Sequence, residues 1–134
     1  MPVVLGYDAD GPKVDFLFDT GSAVTCISQQ VYDRVMAAGV PCTPTHARNL
    51  VSADGQVITS GRAVNIPLTL MDGHSFMVDC QILPDCHHEA ILGQNVISTL
   101  KLSFDAITNT IKHNKGKIDC NLPSYIASVC YEYG

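Results

Sequence analysis

The sequence predicts an all-β domain, and three observations support this class. Short apolar or alternating runs follow one another along the chain, and Gly, Pro and Asp stand between them at positions that favour turns. No long helical period dominates. Hydrophobic residues make up 46% of the 134 residues and charged residues 16%, which is typical of a folded domain with a buried core. The length fits a single domain.

The strand-like runs can be placed one by one from their patterns. Residues 2–7 and 13–18 flank a turn rich in Asp and Gly, so they predict a hairpin. A second hairpin is predicted around Ala53-Asp54-Gly55. The predicted strands lie at about residues 2–7, 13–18, 24–27, 62–70, 75–83, 90–93, 102–106 and 109–112, with two more between 47 and 60.

Two short helices interrupt the strands. Ser28 can cap the first, which is predicted to run to about Ala38 with Val31, Val35 and Met36 on one face. The second is predicted from Gln94 to about Leu100. Pro41 and Pro44 predict a loop after the first helix, and residues 121–134 show no clear period.

Composition argues against several classes of partner. The net charge is −5 and no basic stripe is present, so nucleic-acid binding is not expected, and the basic run Lys112–Lys117 is interpreted as a solvated turn. No apolar run approaches the ~20 residues that a membrane helix needs, and no signal peptide is recognised. Of six cysteines, Cys26 and Cys80 lie within apolar strands, which favours reduced thiols and a cytoplasmic location.

Two segments contain residues of the types that bind metal ions, but neither matches a known metal-binding pattern. Cys80 and the run Cys86–His88 contain ligand types that zinc prefers, but their spacing fits no closed tetrahedral pattern. The segment Asp8–Gly11 has two carboxylates of a calcium loop without the remaining ligands, so a turn is expected there. The sequence therefore predicts neither a metal nor a cofactor.

Asp19 is the candidate for chemistry. It follows the apolar run Phe16–Phe18 and opens the segment Asp19-Thr20-Gly21-Ser22, so its carboxylate leaves a buried strand at a tight turn. An ordinary turn, in which Asp19 bonds its own backbone, is the alternative reading. A second signal follows later in the chain, where Ile91-Leu92-Gly93 is again apolar-apolar-Gly before a short helix.

Together these segments resemble the retroviral-type aspartic proteases, or retropepsins, including those of LTR retrotransposons. The resemblance rests on Leu17-Phe18-Asp19-Thr20-Gly21-Ser22, on the hairpin around Ala53-Asp54-Gly55, and on Ile91-Leu92-Gly93-Gln94-Asn95. It covers about Val3 to Lys112. It implies a retropepsin-like fold, a closed, barrel-like β domain with a flap hairpin, and a homodimer in which each subunit gives one Asp-Thr-Gly loop.

The resemblance also assigns roles within the loop. Asp19 would be the catalytic carboxylate, and Thr20 would bond across the dimer axis. Gly21 would let the substrate backbone approach, and Ser22 would donate to the outer oxygen of the carboxylate. One carboxylate per chain also requires a second copy on chemical grounds, because the reaction needs a pair that shares one proton.

Further residues are assigned to the substrate side. Ile91 would line a side-chain pocket and Gly93 would pack where no side chain fits. The flap over the peptide would consist of Val51, Ser52, Ala53, Asp54, Gly55, Gln56 and Val57.

Two departures from the family pattern are present. Many retroviral members pair an acidic residue after the Asp-Thr-Gly segment with an Arg after the apolar-apolar-Gly segment, and this chain has Ala23 and Gln94 there. The flap carries Asp54 where many retroviral flaps have glycine, as in the retrotransposon kind.

The expected function is therefore that of an aspartic endopeptidase, acting on a polypeptide such as a retroelement Gag-Pol polyprotein, in the cytoplasm or within virus-like particles. The alternative is an inactive or regulatory dimerisation domain of the kind found in ubiquitin-linked shuttle proteins. Residues 1–113 would form the protease domain. Residues 114–134 would be a C-terminal extension, either a dimer-interface segment or a polyprotein junction.

Overall fold

The chain is described by a computed structural model that covers residues 1–52, 55, 57–59, 61–84, 88–113, 116–119 and 130–132. The strands are β1 (Pro2–Leu5), β2 (Lys13–Phe18), β3 (Thr25–Ser28), β4 (Thr43–Thr45), β5 (Asn49–Ser52), β6 (Val57–Thr59), β7 (Arg62–Leu70), β8 (Ser75–Leu83), β9 (Ala90–Leu92), β10 (Ser103–Asp105), β11 (Thr110–His113), β12 (Gly116–Asp119) and β13 (Cys130–Glu132). The helices are α1 (Gln29–Ala37) and α2 (Gln94–Ile97). The all-β class is confirmed.

Six strands form a closed barrel. They lie side by side in the order β1, β2, β9, β3, β8 and β7, and β7 pairs back with β1 to close the ring. Strand β4 pairs with the opposite end of β7, where Pro44 faces Val64. The apolar faces of these strands enclose the main core, which includes Phe16, Ile27 and Ile66.

The first predicted hairpin and helix are confirmed. Strands β1 and β2 pair in antiparallel fashion across the 8–12 turn. Helix α1 begins after Ser28, whose hydroxyl accepts a 3.2 Å bond from the Val31 amide. Val31 and Val35 face the core, as predicted. Met36 is 53% exposed, so the prediction that it lies on the same face was wrong.

The later elements differ from the prediction in extent. Helix α2 ends at Ile97 rather than near Leu100, and hydrogen-bonded turns continue the chain to Leu102. Strand β4 replaces part of the predicted loop; its central proline suits a strand at the edge of a sheet.

Two small sheets flank the barrel. One is the meander β10-β11-β12, in which the predicted pair β10 and β11 is extended by β12. The other is β13-β5-β6, in which the predicted hairpin of β5 and β6 carries a third strand. Neither β12 nor β13 was predicted, because residues 116–119 and 130–132 have no period that indicates a strand.

Among the residues described, no helix is both long and apolar enough to span a membrane.

Candidate active site

The Asp19 loop, residues 19–24, joins β2 to β3, although these two strands are not neighbours. Strand β9 lies between them, parallel to β2 with Phe18 opposite Leu92, and antiparallel to β3 with Cys26 opposite Ile91. The loop therefore passes over the end of β9 and meets the turn from β9 into α2. The two sequence signals around Asp19 and Gly93 thus meet in space.

Three hydrogen bonds tie the loop to this turn. The Asp19 amide donates to the Leu92 carbonyl at 3.1 Å, and the Gln94 amide donates to the Ser22 carbonyl at 2.7 Å. The side-chain amide of Gln94 donates from Nε2 to the Thr20 carbonyl at 2.6 Å. Residues 92–94 therefore hold the loop at Asp19, Thr20 and Ser22.

Gly93 allows the two segments to approach this closely. A β-carbon on Gly93 would lie 2.2 Å from the carbonyl oxygen of Val24 and 2.4 Å from its carbonyl carbon. The φ of Gly93 is −100°, which any residue can adopt, so lack of space and not backbone conformation requires glycine here. The Gly93 amide donates to Thr25 Oγ1 at 3.1 Å, and that hydroxyl donates to Asn95 Oδ1 at 2.7 Å.

The Asp19 side chain is fully buried, with 0% exposure. Its Oδ1 accepts a 2.9 Å bond from the Gly21 amide, which is the bond that the ordinary-turn reading predicts. Asp8, Asp72 and Asp105 accept the same bond from the amide two residues on, but all three keep solvent contact. Burial distinguishes Asp19 from these turn aspartates.

A buried carboxylate is costly unless its charge is compensated or shared. Gly21 supplies one N–H donor, and a bond to an ionised carboxylate is stronger than one between neutral groups. Thr20, next to Asp19, is exposed, and Gly21 is half-buried. The outer side of the loop is therefore open to a second molecule while the carboxylate is sheltered.

Ser22 is buried but does not make the predicted bond. Its hydroxyl donates to the Val24 carbonyl at 2.8 Å rather than to the Asp19 carboxylate. A hydroxyl has one proton to donate, so that proton stabilises the far end of the loop. Ser22 still supports the loop, through a different acceptor.

The predicted flap corresponds to the β5–β6 hairpin, with Val51 opposite Val57. Gly55 has a φ of +90°, which suits a tight turn, and Val57 is 57% exposed. The side chain of Ser52 and the predicted flap residues Ala53, Asp54 and Gln56 lie outside the described part of the chain.

A second apolar cluster connects strand β5 to the Asp19 loop. It contains Val24, Leu50 and Ile91, together with Cys26 and Leu83, and Ala23 packs against it. Leu50 belongs to β5, and Ile91 lies on β9 with 2% of its surface exposed. Ile91 is thus buried beside Leu50 of β5, and its predicted role as a pocket wall stays a prediction.

The described residues include no group of three or more His, Cys, Asp or Glu placed to hold a metal ion. Of the rejected zinc candidates, Cys80 is a buried free thiol, and desolvation, aided by Asp79, raises its pKa. Cys86 and His87 lie outside the described part of the chain. Asp8 forms a turn, accepting bonds from the Asp10 and Gly11 amides, as predicted.

Comparison with known proteins decides the family. A family model described as "gag-polyprotein putative aspartyl protease" matches residues 7–99, which include the Asp19 loop, the flap strands and β9. The chain belongs to this family.

Solved structures agree on the fold. Matching chains number 23, and one of them is the crystal structure of the retroviral protease-like domain of Ddi1 from Leishmania major. It has a TM-score of 0.60 and 14% sequence identity, and the match covers 92% of this chain and 90% of that one. At this identity the likeness concerns the retropepsin-like fold. A comparison with curated proteins gave no match.

The sequence did not predict the hydrogen bonds that the side chains of Thr25, Gln94 and Asn95 make around the loop. Thr25 and Asn95 join β3 to α2, and the Asn95 amide also donates to the Asp79 carbonyl at 3.2 Å. Gln94 was noted only as the residue in place of an arginine. The signal that could have identified it is its position beside Gly93, since the close approach there brings the next side chain over the loop.

Proposed function

We propose that this chain is an aspartic endopeptidase, active as a homodimer in which each subunit contributes Asp19. The observation that carries the proposal is a carboxylate at 0% exposure, held on a loop that is tied at three points to the β9–α2 turn. Other aspartates with the same turn bond keep solvent contact, so turn formation alone does not account for the burial of Asp19.

The chemistry explains why two copies are needed. In peptide hydrolysis, one carboxylate takes a proton from water as the water oxygen attacks the scissile carbonyl carbon. A carboxylic acid donates its proton to the carbonyl oxygen, which gives an intermediate with two hydroxyl groups. The carboxyl group that took the proton from water then passes it to the amine nitrogen, the other carboxylate takes a proton back from one hydroxyl, and the C–N bond breaks. Two carboxyl groups close together share one proton and so provide both functions. One subunit supplies only one such loop.

The exposed side of the loop suits this assembly. Thr20 is exposed beside the buried Asp19, and a second copy of the loop would meet it about a two-fold axis. Ala23 and Gln94 provide no ion pair near that axis, and Gln94 is instead bonded within its own chain. We therefore expect a comparatively weak dimer.

The substrate is proposed to be an extended polypeptide with large apolar side chains around the scissile bond. The cluster of Leu50 and Ile91 between the flap base and β9 is apolar, which favours such side chains. A polyprotein of a retroelement has the required chemistry. The flap, residues 51–57, would close over the peptide and exclude water.

The first test replaces Asp19 by asparagine. Asp19→Asn keeps the shape of the side chain but removes the shared proton, so cleavage of an unfolded protein at pH 5 should fall by at least about a hundredfold. Asp8→Asn is the matched control, because Asp8 makes the same turn bond while exposed. Cleavage by Asp19→Asn at the wild-type rate would refute the role of Asp19.

The second test measures the dimer. Specific activity should fall as the protein is diluted through the dissociation constant, and sedimentation should show monomers in the same range. Constant activity over a hundredfold dilution that ends in monomers would exclude a shared site.

The alternative function, an inactive dimerisation domain, is favoured only by the structural likeness to a protease-like domain. It predicts a dimer by sedimentation and no cleavage by the wild-type protein at any pH between 3 and 8, whether or not a pepstatin-type inhibitor is added. Cleavage that such an inhibitor slows would exclude it.

A further inference from the structure

Gln94 lies at one end of a chain of hydrogen bonds that leads to the Asp19 carboxylate. Its Nε2 donates to the Thr20 carbonyl at 2.6 Å. That carbonyl belongs to the same peptide group as the Gly21 amide, which donates to Asp19 Oδ1 at 2.9 Å. The peptide group between Thr20 and Gly21 therefore accepts a bond at one end and donates one at the other.

We propose that Gln94 is a positioning residue for Asp19, acting through the peptide group that joins Thr20 to Gly21. The role in catalysis rests on the proposed protease function, but the effect on the carboxylate does not. A donor at the carbonyl polarises the peptide group and makes its N–H a stronger donor. The same bond fixes the rotation of the peptide plane, so the N–H stays aimed at Oδ1.

The position of Gln94 is itself well fixed. Its backbone amide donates to the Ser22 carbonyl at 2.7 Å, and Gly93 before it packs against Val24. Two bonds from one residue thus hold the Thr20 and Ser22 carbonyls on either side of Gly21. A side chain without a donor at position 94 would keep the backbone bond and lose only the bond to Thr20.

The segments packed against the loop differ in charge. Strand β8, which contributes Leu83 to the cluster around Val24, carries Asp79 and the thiol of Cys80, whereas β5 has no ionisable side chain. Residues 90–97, which include β9 and α2, contain no ionisable side chain, and the thiol of Cys26 is the only ionisable side chain of β3. A neutral amide at position 94 therefore acts on Asp19 by polarisation and geometry. This differs from an arginine at that position, which would add a full positive charge.

The test compares Gln94→Met, which keeps the size of the side chain and removes the donor, with Gln94→Arg, which restores N–H donors. Gln30→Met is the matched control, because it makes the same chemical change at an exposed site on helix α1. Gln94→Ala also removes the donor and adds neither charge nor bulk, and it takes the place of Gln94→Met if that variant does not fold.

Two readouts are used. The first is the pH titration of the Asp19 carboxyl carbon by NMR, assigned from its loss in Asp19→Asn. Bonds in a chain strengthen one another by roughly 10–30%, so Gln94→Met should move the midpoint upward by roughly 0.1–0.6 pH unit. The direction follows because a weaker N–H donor favours the ionised carboxylate less.

The second readout is cleavage. Gln94→Met should lower kcat by roughly two- to tenfold with KM changed less than twofold, because the bond acts on the reacting carboxylate and not on the substrate. Gln94→Arg should restore the titration midpoint to the wild-type value or below it and recover most of kcat. Gln30→Met should change neither quantity.

The outcomes separate the two proposals. An upward shift of the Asp19 midpoint in Gln94→Met, without cleavage by the wild-type protein, supports the positioning role while the protease function fails. An unchanged midpoint overturns the positioning role, whether stability falls or not. Loss of activity that Gln94→Arg does not recover, with an unchanged midpoint, would show that Gln94 only supports the fold.

Discussion

Gly93 and Val24 are packed so closely that a single carbon atom cannot be added between them. A β-carbon at Gly93 would lie 2.2 Å from the Val24 carbonyl oxygen, and this neighbour is backbone that no side-chain rotation can move. The contact holds the β9–α2 turn against the end of the Asp19 loop. It explains in physical terms why the second sequence signal ends in glycine.

Gly93→Ala should destabilise the domain by about 2–3 kcal/mol and reduce activity, because the loop or the turn must shift. Urea denaturation and a cleavage assay measure the two effects. Gly39→Ala is the control: Gly39 has open space around it and a φ of +69°, so only backbone strain of about 1–2 kcal/mol is expected, with activity kept. Equal effects of both changes on activity would argue against the contact.

Ser22→Ala should lower stability by about 1–3 kcal/mol, because the Val24 carbonyl loses the Ser22 hydroxyl and keeps only the long, weak bond from the Cys26 thiol at 4.0 Å. The pH profile of cleavage should stay in place, since the hydroxyl proton of Ser22 is not given to Asp19. Ser98→Ala, at an exposed site, should change stability by less than about 0.5 kcal/mol. If the alkaline limb of the pH profile shifts while stability is unchanged, Ser22 donates to the Asp19 carboxylate after all, as the resemblance implied.

The rate of cleavage should have a bell-shaped dependence on pH with a maximum at about pH 4–6. The pair of carboxyl groups works only when it holds one proton, so a second proton stops the reaction on the acid side and loss of the first stops it on the alkaline side. The two apparent values belong to the pair. Initial rates from pH 3 to pH 9 measure the profile. A rate that still rises at pH 8, or that needs zinc, would contradict the mechanism.

Asp72 should stabilise the fold only above acidic pH. Desolvation opposes its ionisation, but the amide of His74 and the ring of His113 bond the carboxylate and hold the pKa of Asp72 below its usual value. A group with a lowered pKa stabilises the folded state above the unfolded pKa, near 4, and this stability is lost as the pH falls through the folded value.

Asp72→Asn should therefore cost about 0.2–1 kcal/mol at pH 6 and nothing at pH 2, a modest value because the carboxylate keeps solvent contact. Urea denaturation at both pH values measures the difference. The exposed Asp8→Asn variant provides the reference. A cost that is equal at both pH values would mean that the carboxylate charge is not involved.

Strand β13 should restrain the flap, because it pairs with β5 on the side opposite β6. Removal of residues 130–134, or Tyr131→Pro, which deletes one strand N–H, should speed hydrogen exchange of the β5 amides by roughly tenfold or more. Barrel strand β8 serves as the internal control. Unchanged exchange in β5 would show that the pairing does not hold the flap.

Local pattern predicted most of the barrel, because each barrel strand has an apolar run bounded by turn residues. Strands β7 and β8 begin and end at the predicted residues, Arg62–Leu70 and Ser75–Leu83. Strand β4 was missed because its three residues include a proline and form through pairing with β7. Strand β13 was missed for a similar reason, since its only described partner is β5, far away in the sequence.

The site was predictable to the extent that it depends on residue type. The resemblance identified the segments around Asp19 and Gly93 as parts of one site, and the structure shows these two segments in contact. The acceptors were not predictable, for two different reasons. The Ser22 hydroxyl bonds the Val24 carbonyl two residues on, so the shape of the loop decides between that carbonyl and the Asp19 carboxylate. The Gln94 side-chain amide bonds the Thr20 carbonyl, which comes within reach only when β9 is inserted between β2 and β3. Hydrogen-bond partners of this kind are a property of the tertiary structure.

The insertion of β9 between β2 and β3 also determines when, during synthesis and folding, the hydrogen bonds to the Asp19 loop can form. Phe16 on β2 pairs with Ala90, so the amide of Asp19 cannot find its acceptor on Leu92 until most of the domain has been synthesised. Contacts between such distant segments form slowly in folding. A nascent or truncated chain that ends before residue 92 therefore carries Asp19 without its three tethers, and under the proposed function it would not cleave until the barrel closes.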